Sequence, residues 1–315
     1  MIANVAPAPT DVAFDRDSGR ARIPDVVGTA IAEDGVHLGY EVFGSGDPTL
    51  LLLPSAPIVH SRQWKAQVPY LSRHWKVITY DGRGNGRSDR PLVPEAYADD
   101  RFVGDIEAVM DATGTERAVL IGLCVDGVWR SIRLAARSPE RVLGIVAFSS
   151  GVPRLSPPQP HYRESSATWD EELPAYDGWG KMNRHYWRRD YPDFARFFFT
   201  EMLPEPHSTK PIEDATGWAV DGDVAAMLAE SEAEFPFDLQ AIEAACRAVT
   251  CPIVIAHGTA DQCQLPARAE RLAELTGGRL VLVEGAGHMI PGRHPVLANL
   301  LIRDFVRSLQ GGSVR

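Results

Sequence analysis

The stretch Ala118-Val-Leu-Ile-Gly122-Leu-Cys124-Val-Asp126-Gly127-Val-Trp-Arg130 decides how this chain is read. Residues 118–121 are a short apolar run followed by turn residues, which predicts a buried strand. From Val125 the spacing changes: Val125, Val128, Trp129 and Ile132 fall at i, i+3, i+4 and i+7, the apolar stripe of a helix. A strand that turns this sharply into a helix forces its turning residue into a strained backbone conformation between small neighbours. The side chain at that turn, here Cys124, is pushed out above the sheet at the positive N-terminal end of the new helix.

Working outward, the same alternation recurs. Residues 29–31 and 36–42 predict a hairpin around Asp34-Gly35. Residues 50–53, 75–80, 143–148, 252–256 and 280–283 predict further strands, and 50–53 has the continuous apolar character of a strand buried on both faces. Helices are expected from Trp64 to about 73, over 99–112 and 266–275, and at the end, where Leu297, Leu301 and Phe305 share a face. Strands alternating with helices predict an α/β fold with a doubly wound, mostly parallel sheet.

The turn at Cys124 resembles the nucleophile elbow of α/β-hydrolases, Gly-x-Ser-x-Gly, with cysteine in place of serine and Asp126 in place of the last glycine. Gly127 is a candidate for the missing small residue. The string Asp81-Gly-Arg-Gly-Asn-Gly-Arg-Ser88 resembles a structural loop of the same family, Asp-x-x-Gly-x-Gly-x-Ser, found in cores of the epoxide-hydrolase and haloperoxidase type. It lacks the Gly-Lys-Ser/Thr of a phosphate cradle, so no nucleotide is expected there. Cys124, Asp261 and His288 each stand just past a predicted strand, where doubly wound sheets gather their active sites, in the nucleophile–acid–histidine order of the family. The resemblance implies that these three form a catalytic triad, and that the backbone N–H groups of Ala56 and Val125 form the oxyanion hole.

Residues 154–245 show no comparable strand signal. Trp179, Tyr186, Trp187, Tyr191, Phe194, Phe197, Phe198 and Phe199 crowd this segment, interleaved with Arg184, Arg188, Arg189 and Arg196. The resemblance makes it a helical cap, with Trp187 and Phe198 among the candidates to line an apolar substrate pocket. The arginines form either a solvated face or a hold for an anionic group. The expected organisation is a loose arm over 1–25, a core over 26–153 and 246–310, and the cap over 154–245. His60, after the oxyanion loop, is a further candidate substrate contact. Asp126 has two readings: a surface ion pair with Arg130 four residues on, or a substrate-side carboxylate whose charge opposes thiolate formation. Cys263, two residues past Asp261, is read as structural.

The chain has 315 residues, enough for a full core and one inserted unit, with 44% hydrophobic and 23% charged residues. A net charge of −10 without a basic block argues against a nucleic-acid partner, and no apolar run reaches the ~18 residues of a membrane span. Four cysteines without metal-ligand spacing predict neither a disulfide scaffold nor a metal site, and suit a reducing cytoplasm. No cofactor is called for. The expected partner is a small-molecule acyl substrate, free or carrier-bound. The chemistry expected is a cysteine-dependent hydrolase cleaving an ester, thioester or lactone through an acyl-cysteine. Two alternatives stand beside it: an acyltransferase using the same three residues, and a non-catalytic or isomerase-type use of the capped pocket.

Overall fold

The computed structural model describes residues 20–55 and 57–311. The expected arm therefore falls outside the described residues up to position 19; at Arg20 the chain already pairs with Glu41 at 2.8 Å. Eight strands form one sheet: β1 Val26–Ile31, β2 His37–Phe43, β3 Thr49–Leu52, β4 Val77–Tyr80, β5 Ala118–Leu123, β6 Val142–Phe148, β7 Ile253–Gly258 and β8 Arg279–Val283. Their order is β1-β2-β4-β3-β5-β6-β7-β8. β1/β2 and β2/β4 are antiparallel and all other pairs are parallel. The predicted hairpin is thus the antiparallel edge of a sheet whose inner strands β3 to β7 read as apolar runs because both faces are covered, while β8 forms the half-exposed opposite edge.

The helices are α1 Val68–Leu71, α2 Asp99–Ala112, α3 Cys124–Arg137, α4 Pro160–Ala167, α5 Arg184–Met202, α6 Thr209–Val220, α7 Val224–Ser231, α8 Leu239–Ala248, α9 Pro266–Thr276, α10 Ile290–Arg293 and α11 Pro295–Leu309. One apolar cluster joins α2, α3, α8 and α9 to one sheet face, and a second joins α1 and α11 to the other. Val128, Trp129 and Ile132, the stripe predicted for α3, are fully buried in the first.

Two local expectations change. The helix predicted from Trp64 to about 73 is a 3₁₀ turn, Ser61–Trp64, followed by the single-turn α1. The Trp64 indole N–H donates to the Leu53 carbonyl at 2.9 Å, and Pro69 restarts the helix in its first turn. Within the insertion, α5 breaks at Asp190 (φ −152°), two residues before Pro192, as a proline inside a helix requires. Helix α8, read from sequence as the end of the insertion, packs on α3 and α9, with Ile242 and Cys246 in the core cluster.

Candidate active site

β5 ends at Leu123 and α3 begins at Cys124, with nothing between. Cys124 has φ 61°, the left-handed region that costs a non-glycine residue about 1–2 kcal/mol. Close backbone packing holds it there. A Cβ on Gly122 would meet the Gly127 carbonyl oxygen at 2.3 Å, and one on Gly127 would meet Gly122 Cα at 2.7 Å. The glycine that the motif puts at 126 is therefore supplied one position later. Gly151, in the loop after β6, lies against the same turn: a Cβ there would meet the Val125 nitrogen at 2.2 Å. The Asp126 N–H donates to the Ser55 carbonyl at 3.1 Å, tying the elbow to the loop after β3.

Asp261 follows β7 and His288 follows β8, and His288 Nδ1 lies 2.8 Å from Asp261 Oδ2. The other Asp261 oxygen accepts the N–H groups of Cys263 (2.7 Å) and Gln264 (3.0 Å). Burial alone would raise the Asp261 pKa. The facing His288 and His257 rings and the Gln264 N–H outweigh it and hold the carboxyl below its ordinary value. The pKa of His257, whose Nε2 is 3.4 Å from Asp261 Oδ2, is itself lowered by burial. His288 is gripped at its backbone: its N–H donates to the Met202 carbonyl at 3.0 Å, and its carbonyl accepts from the Ser149 hydroxyl at 2.5 Å. Burial would lower the His288 pKa, but the Asp261 carboxylate and the Cys263 sulfur raise it well above that of a free imidazole.

Cys263 is where the structure departs most from the sequence reading. Cys124 Sγ, Cys263 Sγ and a ring nitrogen of His288 all lie within 4.8 Å of one another. The Cys263 thiol is in hydrogen-bonding reach of both Cys124 and His288, and the Tyr162 hydroxyl is 3.4 Å from its sulfur. Two thiols this close do not ionise together. The Cys124 pKa is lowered by the Cys263 hydrogen bond, against burial, with further help from the Val125 N–H and the Arg268 guanidinium. The Cys263 pKa is driven well up by Cys124 and by burial. Of the two, Cys124 is therefore the thiol that ionises more readily. A cysteine just past the acid at a strand end was the available signal for this; Tyr162 and Arg268 left none in the sequence. Among the described residues, Cys124, Cys263 and His288 are also the group able to hold a metal, although their separation along the chain shows no ligand spacing.

The other predicted residues divide. The Val125 N–H sits at the Cys124 sulfur. Ala56 lies outside the described residues. Its surroundings are anchored by the 81–88 loop: the Asp81 carboxylate accepts the N–H groups of Ser61 and Arg87, each at 2.9 Å, and the Asn85 amide donates to the Pro57 carbonyl. Buried Arg83, bonded to Asp105 and Asp34, holds that loop in turn. Phe198 belongs to an apolar cluster that runs from the insertion down to Cys124 and includes Val59, Cys263 and Met289. Trp187 is in the same cluster, packed among Trp169, Tyr191 and Phe194, and it borders a groove of about 320 Å³ with Ser165 and Met182. His60 lies 3.8 Å from Asp221 and beside Trp218, and burial lowers its pKa. Asp126 pairs with Arg130. The pair is not on the surface as expected: the Arg130 guanidinium is buried, 4.2 Å above the Phe102 ring, and both side chains border a small internal cavity behind the elbow. Arg184 pairs with Asp170 and Glu232, while Arg188, Arg189 and Arg196 are exposed.

The insertion is stitched to the loops that carry Asp261 and His288. The Gln159 amide donates to the Asp261 carbonyl at 2.9 Å, and Glu205 accepts the Gly287 N–H at 2.8 Å and lies 3.1 Å from His294 Nε2.

Residues 48–295 match the family model for the alpha/beta hydrolase fold. Over 300 residues, 90% of this chain and the whole of the relative, the sequence is 27% identical to a non-heme chloroperoxidase of Streptomyces lividans. It is 24% identical over 290 residues, again the whole of the relative, to a bifunctional esterase/perhydrolase of Acinetobacter calcoaceticus. The crystal structure of an enol-lactonase from Burkholderia xenovorans LB400 superposes with a TM-score of 0.71 at 22% identity, covering 89% of this chain and 99% of that one.

Proposed function

The chain belongs to the α/β-hydrolase fold family, and from that premise we propose that it hydrolyses an ester, thioester or lactone through an acyl-cysteine on Cys124. The observation that carries this reading is the line from Asp261 through His288 to a thiol held at φ 61° on the first residue of α3. Esterase and lactonase activities named among the relatives and structural neighbours favour this substrate class. The Cys124 proton passes to His288, whose ring is fixed by Asp261, and the resulting thiolate is the nucleophile. The thiolate adds to the acyl carbon, and the oxygen that gains charge is met by the Val125 N–H. The tetrahedral intermediate collapses with loss of the alkoxide or thiolate, which takes the His288 proton. A water then loses a proton to His288, attacks the thioester carbon and expels Cys124 as thiolate, releasing the acid. Cys263, in reach of both groups, passes the proton between them. The apolar cluster above Cys124 selects an apolar acyl group.

Incubation of the full chain with phenyl esters and acyl thioesters, followed by intact mass analysis, tests the proposal. An acyl adduct on Cys124 that water clears is expected, with turnover lost by at least about 10³-fold in Cys124→Ala. No adduct and unchanged turnover in Cys124→Ala overturns it. An adduct that only an added amine or alcohol clears replaces hydrolysis with acyl transfer.

A further inference from the structure

We propose that Cys124, Cys263 and His288 form a binding site for one thiophilic divalent cation, zinc above all, whose occupation takes the reactive sulfur out of service. The second half of that statement rests on the reading of Cys124 as nucleophile; the first half does not.

The donor set is the first argument. Two sulfurs and an imidazole nitrogen are soft and borderline ligands of the kind zinc selects over magnesium or calcium. A tetrahedral zinc with metal–sulfur bonds of about 2.3 Å and metal–nitrogen bonds of about 2.0–2.1 Å keeps its ligand atoms roughly 3.5–3.8 Å apart. The three atoms here lie within 4.8 Å of one another, so side-chain rotations that close them by up to about 1 Å complete three corners. Three protein ligands leave a fourth position for water, and the Tyr162 hydroxyl donates to the Cys263 sulfur at 3.4 Å, a hydrogen bond that steadies one of the ligands.

The surroundings are the second argument. A metal-bound histidine commonly gives its other nitrogen to a carboxylate, which fixes the ring, and His288 Nδ1 already has Asp261 at 2.8 Å. The charges also balance in a site where an unmatched charge is expensive. Two thiolates offset the dication, and the Asp261 carboxylate is offset by Arg268, whose charge is felt at Cys124, Cys263 and Asp261 alike. The remaining cysteines, Cys246 and Cys251, belong to or pack on the other core cluster and take no part.

The test uses the full chain, reduced with a phosphine, stripped with a chelator and titrated with Co²⁺ as a spectroscopic probe. One Co²⁺ per chain is expected, with the intense visible bands of four-coordinate cobalt and a near-ultraviolet thiolate charge-transfer band, both erased by one equivalent of Zn²⁺. Cys124→Ser and Cys263→Ser each halve the charge-transfer band. Asp261→Asn weakens cobalt binding by about 10–100-fold while keeping the band shape. Cys251→Ser changes neither, which separates loss of the site from general damage. Absence of the bands at millimolar Co²⁺, or bands that survive in both Cys124→Ser and Cys263→Ser, overturns the site. With the acyl-adduct assay repeated on the stripped protein, an adduct without cobalt binding refutes only the metal site, and cobalt binding without an adduct refutes only the hydrolase.

Discussion

Replacing Gly127 by alanine tests the packing argument for the elbow, because two effects of opposite sign meet at one position. Gly127 lies inside helix α3, so alanine brings a propensity gain of about 0.8–1 kcal/mol. Against this, the new methyl would stand 2.7 Å from Gly122 Cα, 3.0 Å from the Gly122 carbonyl carbon and 3.3 Å from the Pro54 carbonyl oxygen. All three are backbone atoms of β5 and the loop after β3, which cannot swing aside as a side chain would. Forcing a methylene-sized group into a packed interior costs typically 1–3 kcal/mol and more where backbone must move. The clash therefore wins, and Gly127→Ala is destabilised by about 1–2 kcal/mol net. Gly104→Ala is the matched control: it is also in a helix, α2, but no heavy atom lies within 4 Å of the added Cβ. It should gain roughly 0.5–1 kcal/mol. Urea midpoints with unchanged slopes read both. If Gly127→Ala is as stable as Gly104→Ala, the elbow does not depend on this contact, and the claim that Gly127 replaces the glycine missing at 126 is wrong.

Three other outcomes follow from the site. Asp261→Asn removes the charge that fixes the His288 tautomer and should lower kcat about 10³–10⁴-fold with the fold intact, read by ester turnover alongside circular dichroism. Arg130→Met leaves both Asp126 and the buried Asp99 without this cation and should cost about 3–5 kcal/mol in urea unfolding, whereas Asp126→Asn leaves Arg130 the Asp99 carboxylate at 3.5 Å and should cost less, with the double replacement below their sum. Glu230, near Arg130, has its pKa pushed by burial from an ordinary 4.5 up to about 7. Its folded pKa is the higher one, so the stability it contributes is full below about pH 4.5 and is lost as pH rises through about 7. Glu230→Gln should therefore gain stability relative to the parent between pH 5 and pH 8 (read roughly as shifts in urea midpoint), and parallel profiles would refute the assignment.

The parts of this molecule that periodicity governs were legible before any coordinates. The strand over 118–121, the stripe at Val128, Trp129 and Ile132, and helix 99–112 each declared themselves by spacing, because burial selects residues by face. The order of Cys124, Asp261 and His288 was legible for a related reason, since each ends a strand run. Cys263 was not. Its place beside Cys124 depends on how the loop after β7 turns back over the sheet, which the two N–H bonds to Asp261 decide and no periodicity records. Asp126 and Arg130 were recognisable as a pair from their spacing alone, but their burial was not, because it is made by Phe102 on another helix. The break of the helix after Trp64 likewise depended on a tertiary bond, from its indole to Leu53.

Two points of the inserted segment bond to the backbone or neighbours of Asp261 and His288, through Gln159 near its start and Met202 and Glu205 near its middle. The segment whose apolar cluster reaches Cys124 is thus also a brace for Asp261 and His288, and the two duties cannot drift apart freely. New specificities reached by lineage divergence or by engineering must arise between those anchor points, from about Tyr162 to Phe199. A wholesale exchange of the insertion would transplant the pocket and slacken the histidine together.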